Sequence, residues 1–383
     1  MKIGMALIEF QFLSLLNRKG KYFLWFNRYI KYFKRIFYCI FTPMTVLRFL
    51  LFPLAIVYDF VTRIRNLFFD KGIFRQTAFK IPVIVVGNLS VGGTGKTPQV
   101  EYLIRFLKNN YKTAILSRGY KRKTTGFLLV NENHATSDVG DEPLQYFKKF
   151  KNIHVAVDAD RVAGIGHLIS QKKPDVILLD DAFQHRKVKG SYYILLTKFN
   201  DLFIDDFLLP SGNLRERRQG ADRADVILVT KCPVNVSKNE QDSIKQKLSK
   251  FNKQVFFTCI SYADTVLGSM EILTSELNNF EVLLVTGIAN PNPLTDYLKS
   301  LNVRFQHLKY ADHHHFSKSD IKNIENRLDA IQSPKIILTT EKDYVRLEDS
   351  IKNLCYLPIE TSFLNNENEA FNALIGNHLK GNF

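Results

Sequence analysis

The segment Ile81-Pro-Val-Ile-Val-Val86 is a short β-branched apolar run, the pattern of a strand buried on both faces. Ser90-Val91-Gly92-Gly93-Thr94-Gly95-Lys96-Thr97 follows, and a helical pattern opens at Pro98. Strand, glycine loop, Gly-Lys-Thr and helix in that order form a phosphate-binding loop. Glycines let backbone N–H groups curl around phosphate oxygens, and the helix N-terminus adds positive partial charge. Lys96 is placed to reach the β- and γ-phosphates, and the Thr97 hydroxyl to ligate Mg²⁺. The consensus has Gly where this chain has Ser90. The remaining context still points to a bound nucleoside triphosphate.

That loop commits the chain to an α/β fold, a mostly parallel sheet with helices on both faces. Further strands are expected at Thr113–Leu116, His154–Val157 and Val226–Val229. Asp175-Val-Ile-Leu-Leu-Asp180-Asp181 has the Walker B pattern, four apolar residues ending in a carboxylate that organises the nucleotide's Mg²⁺. Ser117-Arg118-Gly119-Tyr120 forms a basic loop at a strand's carboxyl end, where ligands collect in open sheets. Gly140-Asp141-Glu142-Pro143 holds two adjacent carboxylates at the start of the next helix. The Arg-rich turn Leu214-Arg215-Glu216-Arg217-Arg218 suits phosphate. Thr230-Lys231 is followed by Cys232-Pro233, without the Asp that reads guanine in N/T-K-x-D. Three histidines, His313 to His315, stand in a row; adjacent side chains diverge, so one histidine paired with a carboxylate fits better than a metal site.

Charge is unevenly placed. The first 80 residues hold fourteen Lys and Arg against three Asp and Glu, most of the net +16. An anionic surface is therefore expected to meet this end of the chain. Residues 1–43 are a basic, aromatic extension without a signal-peptide cleavage pattern. They read either as a membrane-surface arm or as sequence upstream of a working start at Met44. Residues 44–72 suggest a helix capped by Thr42-Pro43, ending near Asp70 with Gly72 beyond. Its uncharged stretch is about half the roughly twenty residues a span needs, so it is expected to lie in a membrane interface. Residues 73–235 then form the kinase-like domain, and a polar stretch at 233–251 marks a boundary to a smaller α/β domain over 236–383. Four scattered cysteines indicate neither disulfides nor zinc and fit a reducing compartment.

As a set, these motifs closely resemble the tetraacyldisaccharide 4′-kinases, the lipid A 4′-kinases of Gram-negative bacteria. The run Gly87-Asn88-Leu89-Ser90 through Pro98 carries the resemblance, including Ser90. It continues in Ser117–Tyr120, Gly140–Pro143, Asp160-Arg161, Asp180-Asp181-Ala182-Phe183-Gln184-His185, Leu214–Glu216, Asp312–His314 and Thr339-Thr340-Glu341-Lys342-Asp343. The resemblance implies transfer of the ATP γ-phosphoryl group to the 4′-hydroxyl of a lipid A disaccharide 1-phosphate, giving lipid IV-A. It implies a peripheral protein on the cytoplasmic face of the bacterial inner membrane. It assigns Asp141 as base with His313, taken over His314 by motif position. Mg²⁺ falls to Thr97, Asp180 or Asp181, and Glu142, and the acceptor or its phosphates to Arg118, Arg161, Gln184 and Arg215. The competing classes are a membrane-recruited nucleotide switch without a lipid acceptor and a nucleic-acid-binding ATPase. The missing Asp after Lys231 and the N-terminal placement of charge argue against each in turn. No nucleic acid and no obligate protein partner are expected.

Overall fold

The structure, a computed structural model, describes residue 48, residues 50–332 and residues 334–381. The Thr42-Pro43 cap and the whole basic extension over 1–43 lie outside the described residues. Contacts divide the chain into two units, residues 1–60 with 208–212, and residues 61–207 with 213–383. Helix α1 (Phe52–Asp70) runs from the first unit into the second. It ends as its glycine predicts: Gly72 takes φ 71°, a left-handed conformation open to glycine at little cost.

The second unit holds two sheets. Its nine-stranded sheet takes β1 (Val83–Asn88), β2 (Thr113–Ser117), β3 (Leu128–Leu129), β4 (His154–Val157), β5 (Val176–Asp180), β6 (Tyr192–Lys198), β7 (Val226–Thr230), β8 (Gln254–Tyr262) and β15 (Ile359–Phe363). Their order is β15-β8-β7-β6-β1-β5-β2-β4-β3, parallel except for the edge strands β3 and β15. The strand carrying the phosphate loop thus lies between β5 and β6, in the middle of the sheet. Side chains alternate across it: Ile84 and Val86 join one apolar core, Val83 and Val85 the other. Both faces are covered, which is why this strand reads as a continuous apolar run. Each such buried side chain contributes about 1.5–3 kcal/mol.

Helices α2 (Lys96–Leu107), α3 (Thr136–Val139), α4 (Asp141–Lys149) and α5 (Arg161–Lys172) connect strands of this sheet. Helix α2 begins two residues before Pro98, the expected opening residue. The proline still sits in the first turn, where its missing N–H leaves no bond unmade. Residues 233–251, read from composition as a boundary, contain helix α6 (Lys238–Leu248), which joins β7 to β8 of the same sheet. Its polar residues are those of an exposed helix face, capped by Ser237.

The chain leaves this sheet after Tyr262 and returns at Ile359, two residues that are direct cross-strand partners. Between them lie β9 (Thr265–Gly268), β10 (Ile272–Leu273), β11 (Glu281–Thr286), α7 (Asn292–Ser300), β12 (Arg304–Lys309), α8 (Lys318–Asp329), β13 (Lys335–Thr340), α9 (Glu341–Leu347) and β14 (Leu354–Leu357). They form a six-stranded sheet ordered β10-β9-β14-β13-β11-β12. The terminal helix α10 (Asn368–Leu379) then packs Phe371 and Ile375 into the first sheet's core. Helix α4, packed on β4, meets helix α9, packed on β13 and β14.

Candidate active site

The phosphate loop is held from both sides. Val91 N donates to Asn213 O at 2.8 Å, and Ser90 is bridged to Leu214. On the other side the Thr230 hydroxyl, at the end of β7, donates to Thr94 O at 2.7 Å. Gly95 caps α2 at φ 81°, the left-handed conformation that turns the loop into the helix. Gly92 is likewise left-handed at φ 95°, and Gly93 lies between them. The Lys96 ammonium lies 3.3 Å from Asn88 Oδ1 and 3.5 Å from Asp181 Oδ1. Thr97, the second residue of α2, neighbours the buried Tyr146 hydroxyl.

Asp180 and Asp181, consecutive at the end of β5, have separate roles. Asp181 accepts a forked bond from Arg215, at 2.9 and 3.4 Å, besides its contact with Lys96. Burial acts to raise its pKa, but those cations outweigh it and hold the carboxyl below its ordinary value. Asp180 is buried, and burial with the charges of Asp181 and Glu142 pushes it up to about 7. Its Oδ2 lies 3.4 Å from the Tyr146 hydroxyl. Among the described residues no three His, Cys, Asp or Glu side chains form a preformed metal cluster. Asp180, Glu142 and Thr97 nonetheless supply hard oxygen donors, with the buried Asp180 carboxyl held under the like charges of Asp181 and Glu142. That suits Mg²⁺, which binds through one or two carboxylates, nucleotide phosphates and water.

Gly140 and Gly119 bring the second carboxylate region into place. Both have positive φ, 91° and 67°, and a Cβ on Gly140 would come within 3.1 Å of Tyr120 O. This close approach sets the Tyr120 loop against the N-terminus of α4, whose first residue is Asp141. Across from it His313 takes φ 58°, with its N–H on Gly287 O. His313 Nδ1 and Asp141 Oδ2 lie 2.8 Å apart, although 172 positions separate them. His314 turns elsewhere: its Nε2 is 3.1 Å from Asp320, and its ring stacks on Tyr310. Burial raises the pKa of Asp141, but bonds from His313 and Arg346 prevail and hold it well below the usual carboxylate range.

The other expected residues are placed as follows. Arg215 Nη2 reaches Asn88 O at 3.1 Å and also Asn88 Oδ1, so it sits beside Lys96. Gln184 donates from Nε2 to Asn88 O at 2.8 Å and Glu216 Oε1 at 3.0 Å, so its amide group braces the loop. Arg161 is buried, with Nη1 on the carbonyls of Asp158 and Ala159 and its pKa lowered by burial to about 10. Arg118 stays exposed. Sequence reasoning gave no role to Asn88, Glu216, Lys342 or Arg346. Asn88 ties Lys96 to Arg215. Glu216, buried, gathers Gln184, Arg223 and Asn66. Lys342 and Arg346 project from α9 onto His313 and Asp141. Their signal was the Thr-Glu-Lys-Asp run with a second cation four residues after its lysine, the spacing that puts both on one helix face.

A phosphate loop with its lysine, a Walker-type carboxylate and a carboxylate–imidazole pair facing them define a P-loop phosphotransferase. The family model described as LpxK, tetraacyldisaccharide-1-P 4′-kinase, matches residues 47–380. The tetraacyldisaccharide 4′-kinase of Flavobacterium johnsoniae is 52% identical over 344 residues, covering 88% of this chain and 99% of the relative. That of Bacteroides thetaiotaomicron is 42% identical over 354 residues, covering 87% and 93%. A crystal structure of the "apo" form of LpxK from Aquifex aeolicus in complex with ATP superimposes with a TM-score of 0.71 at 31% identity, over 87% of this chain and 99% of that one. The chain belongs to the tetraacyldisaccharide 4′-kinase family.

Proposed function

We propose that this site transfers the γ-phosphoryl group of ATP to the 4′-hydroxyl of tetraacyldisaccharide 1-phosphate, forming lipid IV-A, with Asp141 taking the hydroxyl proton. Family membership supports the reaction, and the Asp141–His313 pair at 2.8 Å beside the phosphate loop supports the assignment of the base. The loop amides and Lys96 hold the nucleotide's phosphates. Thr97, Asp180 and Glu142 are the residues that would hold Mg²⁺, which when bound draws charge from the β- and γ-phosphates. Arg215, joined to Asp181 and Asn88 next to Lys96, orients the same group. The acceptor O–H bond breaks toward Asp141 as the oxygen's electron pair forms the new P–O bond. The bond to the β-bridging oxygen breaks, and that oxygen leaves with its electrons as part of ADP. The transition state is loose, so the hydroxyl loses its proton late and a weakly basic carboxylate suffices.

The acceptor is a lipid, and helix α1 supports membrane association. Ile56, Val57, Phe60 and Val61 are each more than half exposed. Among the described residues no helix is long and apolar enough to cross a membrane. An apolar helix face that follows a basic stretch in the sequence suits the interface of an anionic membrane, on the cytoplasmic side where ATP is found. The deciding experiment gives purified protein γ-labelled ATP, Mg²⁺ and detergent-dispersed tetraacyldisaccharide 1-phosphate. Labelled bisphosphorylated lipid is expected, and chelating Mg²⁺ should abolish it. ATP hydrolysis without labelled lipid would overturn the reading.

A further inference from the structure

Asp141 carries two strong donors on one oxygen. Oδ2 accepts from His313 Nδ1 and from Arg346 Nη2, while among the described residues nothing bonds Oδ1. Arg346 is itself fixed: its Nη1 lies 2.9 Å from Asp343 Oδ1, and Asp343 Oδ2 accepts Gly287 N at 2.8 Å. Gly287 O in turn accepts the N–H of His313. One ring of bonds therefore sets both Arg346 and the His313 backbone. On the far side of the imidazole, Lys342 Nζ lies 2.9 Å from Nε2. Glu142 at 3.5 Å and Asp312 at 3.8 Å steer the same ammonium. Tyr120 packs edge-on against the ring, centroids 5.7 Å apart.

Hydrogen-bond inventory fixes the proton. An ammonium has three donors and no lone pair, so Nε2 must accept from Lys342. A carboxylate only accepts, so Nδ1 donates to Asp141 across 2.8 Å; Arg346 Nη2, also 3.3 Å from Nδ1, directs its proton to the nearer Asp141 Oδ2. The imidazole thus carries its proton on Nδ1, with no nitrogen left open. It cannot take the acceptor's proton while Lys342 holds it.

We propose that Lys342 is a positioning residue for the transfer step: through Nε2 it locks His313 in the Nδ1–H tautomer, which with Arg346 saturates Asp141 Oδ2 and leaves Oδ1 as the atom that meets the acceptor hydroxyl. The inference rests on Asp141 as base, but it assigns an atom and a tautomer that the base reading leaves open. Helix α9 belongs to the second sheet, so that sheet sets the aim of a carboxylate carried by the first.

The test combines spectroscopy with kinetics on the full chain. In ¹⁵N-histidine-labelled protein, the His313 resonances, assigned by their loss in His313→Gln, should show a protonated Nδ1 and a bare Nε2. Lys342→Met should change the Nε2 resonance and lower kcat roughly 10- to 100-fold, the cost of a misaimed group, with the KM for ATP unchanged. Lys342→Arg, which keeps a donor, should recover most of kcat and the wild-type tautomer. A wild-type His313 protonated on Nε2 would overturn the proposal without any variant needing to fold. So would Lys342→Met with unaltered kcat, or one slowed with its tautomer unmoved. Asp141→Asn separates the two readings. If it keeps turnover, the base assignment fails; if it is inactive while Lys342→Met is normal, only the present inference fails.

Discussion

Burial alone would raise the pKa of a carboxyl such as Asp141, yet the His313 and Arg346 donors reverse that and keep it ionised. A group whose pKa lies that low stays a carboxylate throughout the range in which the protein works. Asp141 itself should therefore add no acidic limb to the rate profile at and above pH 5. Asp141→Asn, nearly isosteric, should lower kcat by about 10²- to 10⁴-fold. Its affinity for ATP, measured by calorimetry, should stay within a few-fold of wild type. A variant that lost ATP binding as well would mark Asp141 as structural. Lys231 offers a second test. It directly follows β7 with φ 56°, and its Nζ would lie 3.8 Å from a Cβ placed on Gly93, so the ammonium folds back over the phosphate loop. Burial lowers its pKa first, and the charges of Lys198 and Lys96 lower it further, a cationic setting that a nucleotide phosphate would offset. Lys231→Ala should raise the KM for ATP several-fold with little change in kcat; an unchanged KM would dismiss the contact. Asp141 and His313 were legible because motif order carried them. The contacts of Lys342, Arg346 and Asn88 were not, because they depend on side-chain directions that spacing alone does not give.

Strands of the first sheet were readable because burial on both faces leaves only β-branched and apolar residues, as in Val83–Val86 and Val176–Leu179. Three of them run one or two residues further than read, to Asn88, Ser117 and Thr230, because each ends in a polar residue, whereas His154–Val157 keeps its bounds. The polar stretch over 233–251 misled for the opposite reason. A helix with one buried stripe, Gln241, Ile244 and Leu248, has a composition little different from a linker's. Helix α1 was legible at its glycine end, where Gly72 stops it. Its exposed apolar side chains make a prediction of their own. Val57→Glu with Phe60→Glu places charge where the helix should enter the interface. Cosedimentation with vesicles containing anionic lipid should fall roughly tenfold or more, given about 1.5–3 kcal/mol for each apolar side chain buried. Activity toward a short-chain, water-soluble acceptor should remain. Unchanged vesicle binding would remove α1 from the membrane.

The second sheet is inserted between β8 and β15, neighbours in the first, so two adjacent crossings carry the chain out and back. Side chains must then hold the two sheets in register, and one buried cluster does so away from the phosphate loop. Lys149 on α4 donates to Glu101 on α2 at 2.7 Å and to Glu341 on α9 at 2.8 Å. Arg105 adds a longer contact to Glu101 at 3.8 Å, so the two carboxylates share one close ammonium and one more distant guanidinium. Burial, followed by the charge of Glu101, pushes the Glu341 carboxyl up to about 7 despite Lys149. A folded-state pKa raised above the ordinary glutamate value gives stability that is complete below about pH 4.5 and lost as pH rises through about 7. Glu341→Gln removes that dependence while Lys149 keeps Glu101. The variant should match wild type in thermal melts near pH 4.5 and exceed it at pH 8, by on the order of 1–3 kcal/mol. The difference should grow between those pH values and level off above. If the two proteins kept a constant difference across the range, Glu341 would titrate alike in the folded and unfolded chain, and the contact between α4 and α9 would owe nothing to a shared proton.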